Sequence, residues 1–430
     1  MASEWPEVPL GELVESGRGI SYGIVQPGSH FEGGVPIVRV SDIRNGRIST
    51  EQPLRVAPSI EAPYSRTRLK GGELLLTLVG TVGEAAVVPD ELAGWNTARA
   101  VAVVPVRRDV GAYWVKLALQ SPIVRAIIDS RLNTTVQATL NLRDVAQLPI
   151  LLPNSSEREA VSNVFGTLDS RIELNRAMNE TLESITWALF KSWFVDFDPV
   201  RAKVEGRTCD LPEGIASLFP DSFDFIENSE TPKGWNVLGL DKTGRFLNGL
   251  ALQKFPPQAD RFLPVIKIAQ LRTEDTSDAD KASADLAPEY IVEDGDVLFS
   301  WSGSLECILW AGGKGALNQH LFKVTSAIYP KWFCYLWIHA HLPEFRHIAS
   351  GKATTMGHIQ RGHLSAAKVL VPSPALLKEM DRFFAPLIKQ IVNLKLASRT
   401  LRMIRDTLLP KLVSGELRVP DVERIVGGQL

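Results

Sequence analysis

Apolar residues recur at three- and four-residue spacings along two long stretches of this chain, 154–195 and 373–415, and in short alternating runs elsewhere. In the first stretch the stripe runs Phe165, Leu168, Ile172, Leu182, Ile185 and Leu189, with Asn175 and Asn179 interrupting it. That spacing lays the side chains along one face of a helix. A shift of 219 positions brings the second stretch onto the first without a gap, with eight identities between Pro153/Pro372 and Phe194/Val413. Leu394 and Ser398 stand where the first stretch has its two asparagines. The pattern predicts two long helices in one register. The first starts near Ser155 or Ser156 as N-cap and runs to about Trp193. The second runs from about Pro374 to Leu412, with Pro386 kinking or restarting it.

Upstream of each helix, short apolar runs alternate with Gly, Pro, Asn and Asp clusters, the signature of strands and turns. Strands are predicted at 35–40, 74–79 and 100–106, then a helical piece over 113–128. The second half repeats the plan at 263–268, 296–301 and 321–324, with a helix over 332–341. The turn after Gly72-Glu73-Leu74-Leu75-Leu76-Thr77 resembles that after Gly295-Asp296-Val297-Leu298-Phe299-Ser300. The fold class is α+β: two globular heads separated by two long, antiparallel, coiled-coil-like helices in a pseudo-two-fold internal repeat. The expected boundaries are a first head over 1–153, a helix over 154–195, an acidic linker over 196–231, a second head over 232–372, a helix over 373–415 and a tail over 416–430. The linker carries nine acids against Arg201, Lys203 and Arg207 up to residue 230, and reads as extended and solvated.

A 3-4 apolar spacing belongs to a helix pressed against another helix. Charge favours pairing between the two, since the second helix has eight bases against Glu379, Asp381 and Asp406. The alternative is that each helix covers its own head. Trp187, Phe190, Trp193 and Phe194 lie off the stripe, implying a second buried face and a partner beyond the other helix.

The 430 residues suffice for two or three domains, and the formal charge of −2 confines any nucleic-acid footprint to local patches. Three scattered cysteines, an acidic Pro-broken start and no apolar run long enough to span a bilayer give the expectation of a soluble cytoplasmic protein. Catalytic machinery is missing from the sequence. Phe255-Pro256-Pro257-Gln258 lacks the base-stacking aromatic and acceptor of an amine methylation loop, and Gly351-Lys352-Ala353-Thr354 lacks the pattern of a phosphate loop. Asp196-Phe197-Asp198 reads as a terminating turn, and Cys334, His339, His341 and His347 do not converge on one helix face. No metal site is predicted, and the chain is expected to catalyse nothing.

Two local basic stretches remain. Residues 36–70 hold Arg39, Arg44, Arg47, Arg55, Arg66, Arg68 and Lys70 against three acids, and residues 345–372 hold Arg346, Lys352, Arg361, Lys368 and three histidines with no acid. Such residues neutralise phosphates, while Arg, Asn and Gln read base edges. The candidate DNA-binding set is Arg39, Arg44, Arg47, Arg68, Lys70, Thr81, Asn96, Arg99 and Thr134 in the first head. In the second it is Lys267, Ser304, Asn318, Gln319, His320, Lys352, Thr354, His358 and Arg361. Asn96 and Asn318-Gln319-His320 are taken as equivalent strand starts, and Gly80 and Gly303 as points where backbone approaches a phosphate closely.

The strings Leu189-Phe190-Lys191-Ser192-Trp193-Phe194-Val195-Asp196-Phe197-Asp198-Pro199 and Leu408-Leu409-Pro410-Lys411-Leu412-Val413-Ser414-Gly415-Glu416-Leu417 resemble the helix endings of Type I restriction–modification specificity subunits. Pro36–Ile43, Gly72–Gly83 and Asn318-Gln319-His320 resemble that family's target-recognition domains. The second head departs where Gln270 replaces Asp42 and Glu306 replaces Gly83. The resemblance implies that each head reads one half of a bipartite double-stranded DNA site. It implies that the helices dock two methyltransferase subunits, with Trp187, Phe190, Trp193, Phe194, Leu409 and Leu412 as candidate partner contacts. Restriction endonuclease subunits would join for cleavage, and methyl donor, ATP and Mg²⁺ would belong to those partners. Two rival readings are a specificity module separated from a fused restriction–methyltransferase enzyme and a coiled-coil scaffold that does not bind DNA.

Overall fold

The computed structural model describes residues 5–132, 138–209, 211–226, 229–258, 260–351 and 357–420. It divides into two compact units, Met1–Ser170 with Arg402–Leu430, and Arg171–Leu401. Each unit therefore holds one head, the start of one long helix and the end of the other.

In the first unit, strands Ser21–Tyr22, Val101–Val104, Leu74–Thr77 and Ala85–Val87 form an antiparallel sheet in that order. Leu74–Thr77 and Val101–Val104 are buried at every position. The apolar runs 74–76 and Val101–Val104 follow from cover on both faces. Beside them, Leu54–Val56, Val35–Val38 and Asn96–Thr97 make a second sheet whose last pair is parallel, Val38 opposite Thr97. Glu7–Pro9 pairs with Pro149–Leu151 and closes the head. The expected helix over 113–128 is two helices, Ala112–Leu119 and Pro122–Ser130, because Ser121 caps the second and Pro122 occupies its first turn.

The second unit repeats these three ladders and adds one strand, Ile291–Val292, beside Gly315–Leu317. Arg245–Asn248, Leu321–Thr325, Val297–Ser300 and Cys307–Leu309 form the antiparallel sheet. Phe262–Ile266 runs parallel to Gly315–Leu317, with Ile266 opposite Leu317. Asn236–Gly239 pairs with Lys368–Val371 as the closing ladder.

The first long helix is Ser155–Phe190, followed by one wider turn over Lys191–Val195, and the second is Pro374–Val413. Its N-cap is Asn154, one residue before the expected serines: the Asn154 side-chain oxygen accepts from the Glu157 amide at 3.0 Å. Ser373, at the repeat-equivalent position, accepts from the Leu376 amide at 3.3 Å. Pro386 does not restart the second helix, which is continuous through it and anchored on both sides by buried Phe384 and Ile388.

Both helices bury a strict 3-4 seam. In the first it runs Phe165, Leu168, Ile172, Asn175, Asn179, Leu182, Thr186, Leu189 and Trp193, each buried or half-buried. The seam of the second lies 219 positions on, from Phe384 to Leu412. Ile185 is not on it. It is 46% exposed, and the alternation passes instead through Thr186, whose hydroxyl donates to the Leu182 carbonyl at 2.6 Å. In the first unit, Val161 and Phe165 share a core with Leu409, Leu412 and Val413; in the second, Phe190 and Trp193 share one with Phe384 and Ile391. The start of each helix thus packs with the end of the other, and both also cover their heads.

A charged cluster ties the first helix pair to its head. Asp169 accepts from Tyr113 at 2.8 Å and from Lys116 at 3.1 Å, and pairs with Arg405 at 3.3 Å. Burial pushes the Asp169 carboxyl up, but Lys116, Tyr113 and Arg405 together outweigh it and hold the group below its usual range.

Two expectations fail here. The aromatics expected off the stripe face no outside partner: Trp193 lies on the seam itself, and with Phe190 and Phe194 it packs in the core of the second unit against Trp235, Trp332, Trp337 and Phe384. Leu409 and Leu412 are likewise buried in the first unit. None of these five is accessible as a partner contact; Trp187 alone of the set is half-exposed. The acidic linker is not extended either. Phe197 adopts a left-handed turn, Asp198–Val204 is helical, and Phe223–Ile226 pairs with Ser229–Pro232. Phe197, Val200 and Phe219 supply the apolar anchors, all buried in the second core.

Candidate nucleic-acid interface

Parallel pairing in each head creates a rim where several chain segments end together. In the first head, the Ala98 amide donates to Val38 and the Arg99 amide to Ile24, at 2.9 and 2.8 Å. Leu78 donates to Ala100, Leu140 to Leu78, and Gly80 to Ala138. These bonds bring together Ile24, the end of strand Val35–Val38, residues 98–100, residues 78–80 at the start of the turn and residues 138–140. In the second head the same bonds join Leu250, Ile266, residues 318–320, 301–303 and 357–359.

The turns on the two rims share one construction. The Thr77 hydroxyl donates to the Thr81 carbonyl and accepts from the Glu84 amide at 2.9 Å. Ser300 donates to Ser304 at 2.7 Å and accepts from Glu306 at 2.8 Å. Gly80 and Gly303 both have positive φ, 78° and 67°, the conformation that favours glycine. This geometry corrects one equivalence: Glu306 corresponds to Glu84, not Gly83, because the second turn is one residue shorter. The other departure stands. Asp42 accepts from the Arg39 amide at 2.9 Å, and Gln270 accepts from the Lys267 amide at 3.3 Å.

The rim gathers Arg39, Thr81 and Arg99 in the first head. Arg39 is engaged by Asp42 through Nε and Nη2 at 3.0 and 2.9 Å, and that bond raises its already high pKa. Arg99 is exposed, and no ion pair or hydrogen bond engages its side chain among the described residues. The second rim gathers Lys267, Ser304, Gln319, His320, His358 and Arg361. Lys267 pairs with Asp280, Trp301 lies 5.8 Å from His320 and 6.4 Å from His358, and Arg361 sits 5.8 Å over Phe322.

Other candidates lie elsewhere. Asn96 is fully buried, donating to Glu61 and to the Tyr64 carbonyl, so it cannot reach a ligand. Asn318 is buried too, and its oxygen accepts from the His320 amide. The equivalence of these asparagines fails: Ala98 bridges Ile24 as Asn318 bridges Leu250, so Ala98-Arg99-Ala100 is the counterpart of Asn318-Gln319-His320. Arg68 and Lys70 belong to the opposite end of strand Asn96–Thr97, beside Trp95, with Arg68 paired to Glu61. Arg44 and Arg47 sit on the hairpin Ile43–Arg44/Arg47–Ile48, and Arg47 donates to the Asp169 carbonyl at 3.4 Å. Thr134, Lys352 and Thr354 lie outside the described residues.

His339 and His341 are each bonded through Nε2 to a backbone carbonyl, Cys307 at 3.0 Å and Lys368 at 2.9 Å. Burial pushes His339 down to about 4, so its ring is neutral and its Nε2–H donates. Among the described residues no three His, Cys, Asp or Glu side chains converge on a cation site, and no helix is long and apolar enough to cross a membrane.

Two heads of one topology, each with an equivalent polar rim, define a two-headed, internally repeated protein. Residues 2–184 match the Type I restriction modification DNA specificity domain. The chain is 24% identical over 347 residues to the HindI specificity subunit of Haemophilus influenzae, covering 68% of this chain and 74% of that one. It is 27% identical over 197 residues to the EcoBI specificity subunit of Escherichia coli, covering 44% and 41%. Among solved structures, the S subunit of a Type I restriction–modification system from M. genitalium aligns over 95% of this chain and 96% of that one, with 13% identity and a TM-score of 0.49. The chain is related by sequence to the specificity subunits of Type I restriction enzymes.

Proposed function

We propose that this protein is the non-catalytic DNA-specificity subunit of a Type I restriction–modification complex, each head reading one half of a bipartite site. The observation that carries the reading is the recurrence of one rim in both heads, built by the same backbone bonds but lined by different side chains. Shared scaffolding with divergent lining is what two readers of different sequences require, since base-edge contacts specify and backbone contacts only position. Double-stranded DNA is the ligand, methyltransferase and restriction subunits are the partners, and methyl donor, ATP and Mg²⁺ are held by those partners. With the aromatic anchors buried, recruitment falls to Leu174, Met178 and Ile185. They are 48%, 40% and 46% exposed at helical spacing on one face of the first long helix.

Replacing residues 232–372 with another second head should alter one half-site in the genomic methylation pattern and preserve the other. Alteration of both half-sites would overturn the modular reading, and absence of any sequence-dependent methylation would favour a scaffold.

A further inference from the structure

We infer that Arg99 and Gln319 are equivalent base-reading positions that give the two heads different letters, guanine for the first and adenine for the second. The inference rests on the DNA-specificity reading above and adds to it the residue and the base. Equivalence is set by the backbone. Arg99 and Gln319 donate their amides to Ile24 and Leu250, at 2.8 and 2.9 Å, immediately after matched parallel bridges. A Cβ on Gly23 would stand 2.1 Å from the Thr97 carbonyl oxygen, and one on Gly249 would stand 2.3 Å from that of Asn318. Only glycine permits this approach, so each head brings a second segment close beneath its reading position. On the other side, Ala100 and His320 accept from Leu78 and Trp301. Each side chain therefore projects from backbone held on both sides, the preorganisation a reader needs.

The chemistry at the two positions differs in kind. Arg99 is an exposed guanidinium without a partner among the described residues, whereas Arg39 and Arg68 are engaged by Asp42 and Glu61. A free planar fork of donors matches the two acceptors, O6 and N7, that guanine presents in the major groove, and cannot match the donor of adenine. Gln319 carries one donor and one acceptor group, the complement of adenine N7 and N6. Its backbone carbonyl accepts from the Trp301 indole at 3.1 Å, and its Nε2 lies 3.4 Å from His320 Nε2. His320 Nδ1 is 3.1 Å from the Ser302 hydroxyl. With the proton on Nδ1, Nε2 accepts from the glutamine amide and fixes which way the amide faces. One amide hydrogen and the carbonyl oxygen remain for the base. The first head has Leu78, Val79 and Ala100 in place of Trp301, Ser302 and His320, so it has no such clamp, and a guanidinium needs none.

The test is selection from a randomised duplex DNA pool by the full chain assembled with its modification subunits. Wild type should enrich a guanine at one position of one half-site and an adenine at one position of the other. Arg99→Gln should convert that guanine to adenine, and Gln319→Arg that adenine to guanine, each by about tenfold to a hundredfold in preference, with other positions unchanged. Arg99→Lys should keep binding and weaken the guanine preference without moving it to adenine, because the donors survive and the rigid fork does not. An unchanged consensus in Arg99→Gln and Gln319→Arg overturns the inference. So does uniform weakening with the consensus intact, the mark of a phosphate contact. A wild-type pool with no enriched sequence would instead remove the DNA-specificity reading itself.

Discussion

Asp169 shows how much of this fold depends on a single side chain. It accepts from Tyr113 and Lys116 and pairs with Arg405, so one carboxylate joins a head helix to both long helices of its unit. Lys116 is only 8% exposed, and removing its counter-charge leaves a buried ammonium with the Tyr113 ring, 4.9 Å away, as its remaining electrostatic partner. Asp169→Asn should therefore destabilise the first unit by about 2–4 kcal/mol, toward the lower end because Asp169 itself is partly solvated. The pH dependence has a definite sign. Its carboxyl is depressed in the folded state, so its contribution is fully present above the unfolded value of about 3.9 and is lost as pH falls through the folded value. Denaturation of wild type and variant should differ at pH 7 and converge in strong acid. A difference that stays constant with pH would show that the loss is packing rather than charge.

At the scale of elements, the two long helices separate seam from surface. Ile172 lies on the seam at 7% exposure, so Ile172→Ala should cost about 2–4 kcal/mol through lost burial and a cavity. Leu174, Met178 and Ile185 lie outside it, and changing all three to Ser should alter stability by about 0.5 kcal/mol or less at each site. The same triple variant should lose co-purification of the methyltransferase subunit; retained assembly would refute the docking face. The repeat and both helices are legible in the sequence because a helix stripe is a local pattern. Ile185 misleads because it is apolar beside the true seam position, Thr186, whose hydroxyl is satisfied by its own helix. The aromatic cluster announces burial but not what covers it, and its cover is the chain's own second head. The acidic count over 196–231 conceals the few apolar anchors, Phe197, Val200 and Phe219, that decide its structure. Most of the rim is illegible for a further reason. Its segments meet through parallel pairing between distant strands, so sequence alone aligns Asn96 rather than Arg99 with the Asn318-Gln319-His320 string.

For the whole molecule, the division into units is asymmetric in sequence although the repeat is symmetric. Arg171–Leu401 is one continuous stretch, whereas the other unit is assembled from both ends of the chain. Leu409, Leu412 and Val413 are buried in the same core as Trp114, Val161 and Phe165. The Arg418 guanidinium lies 4.8 Å over the Trp5 ring, and Arg418 also pairs with Glu157. At about 1.5–3 kcal/mol for each fully buried aliphatic side chain, the three alone contribute roughly 5–9 kcal/mol. That is comparable to the net stability of a domain, about 5–15 kcal/mol. Truncation after Leu401 should therefore leave the second unit cooperatively folded while the first head loses its core seal. Hydrogen exchange read by mass spectrometry should show protection retained in strands Val297–Ser300 and Leu321–Thr325 and lost in Leu74–Thr77 and Val101–Val104. A peptide spanning 402–420, added in excess, should restore part of the lost protection by binding the folded state of the first unit. If the first-head strands keep full protection without residues 402–430, the head folds on its own and the end of the second helix is only an accessory to it.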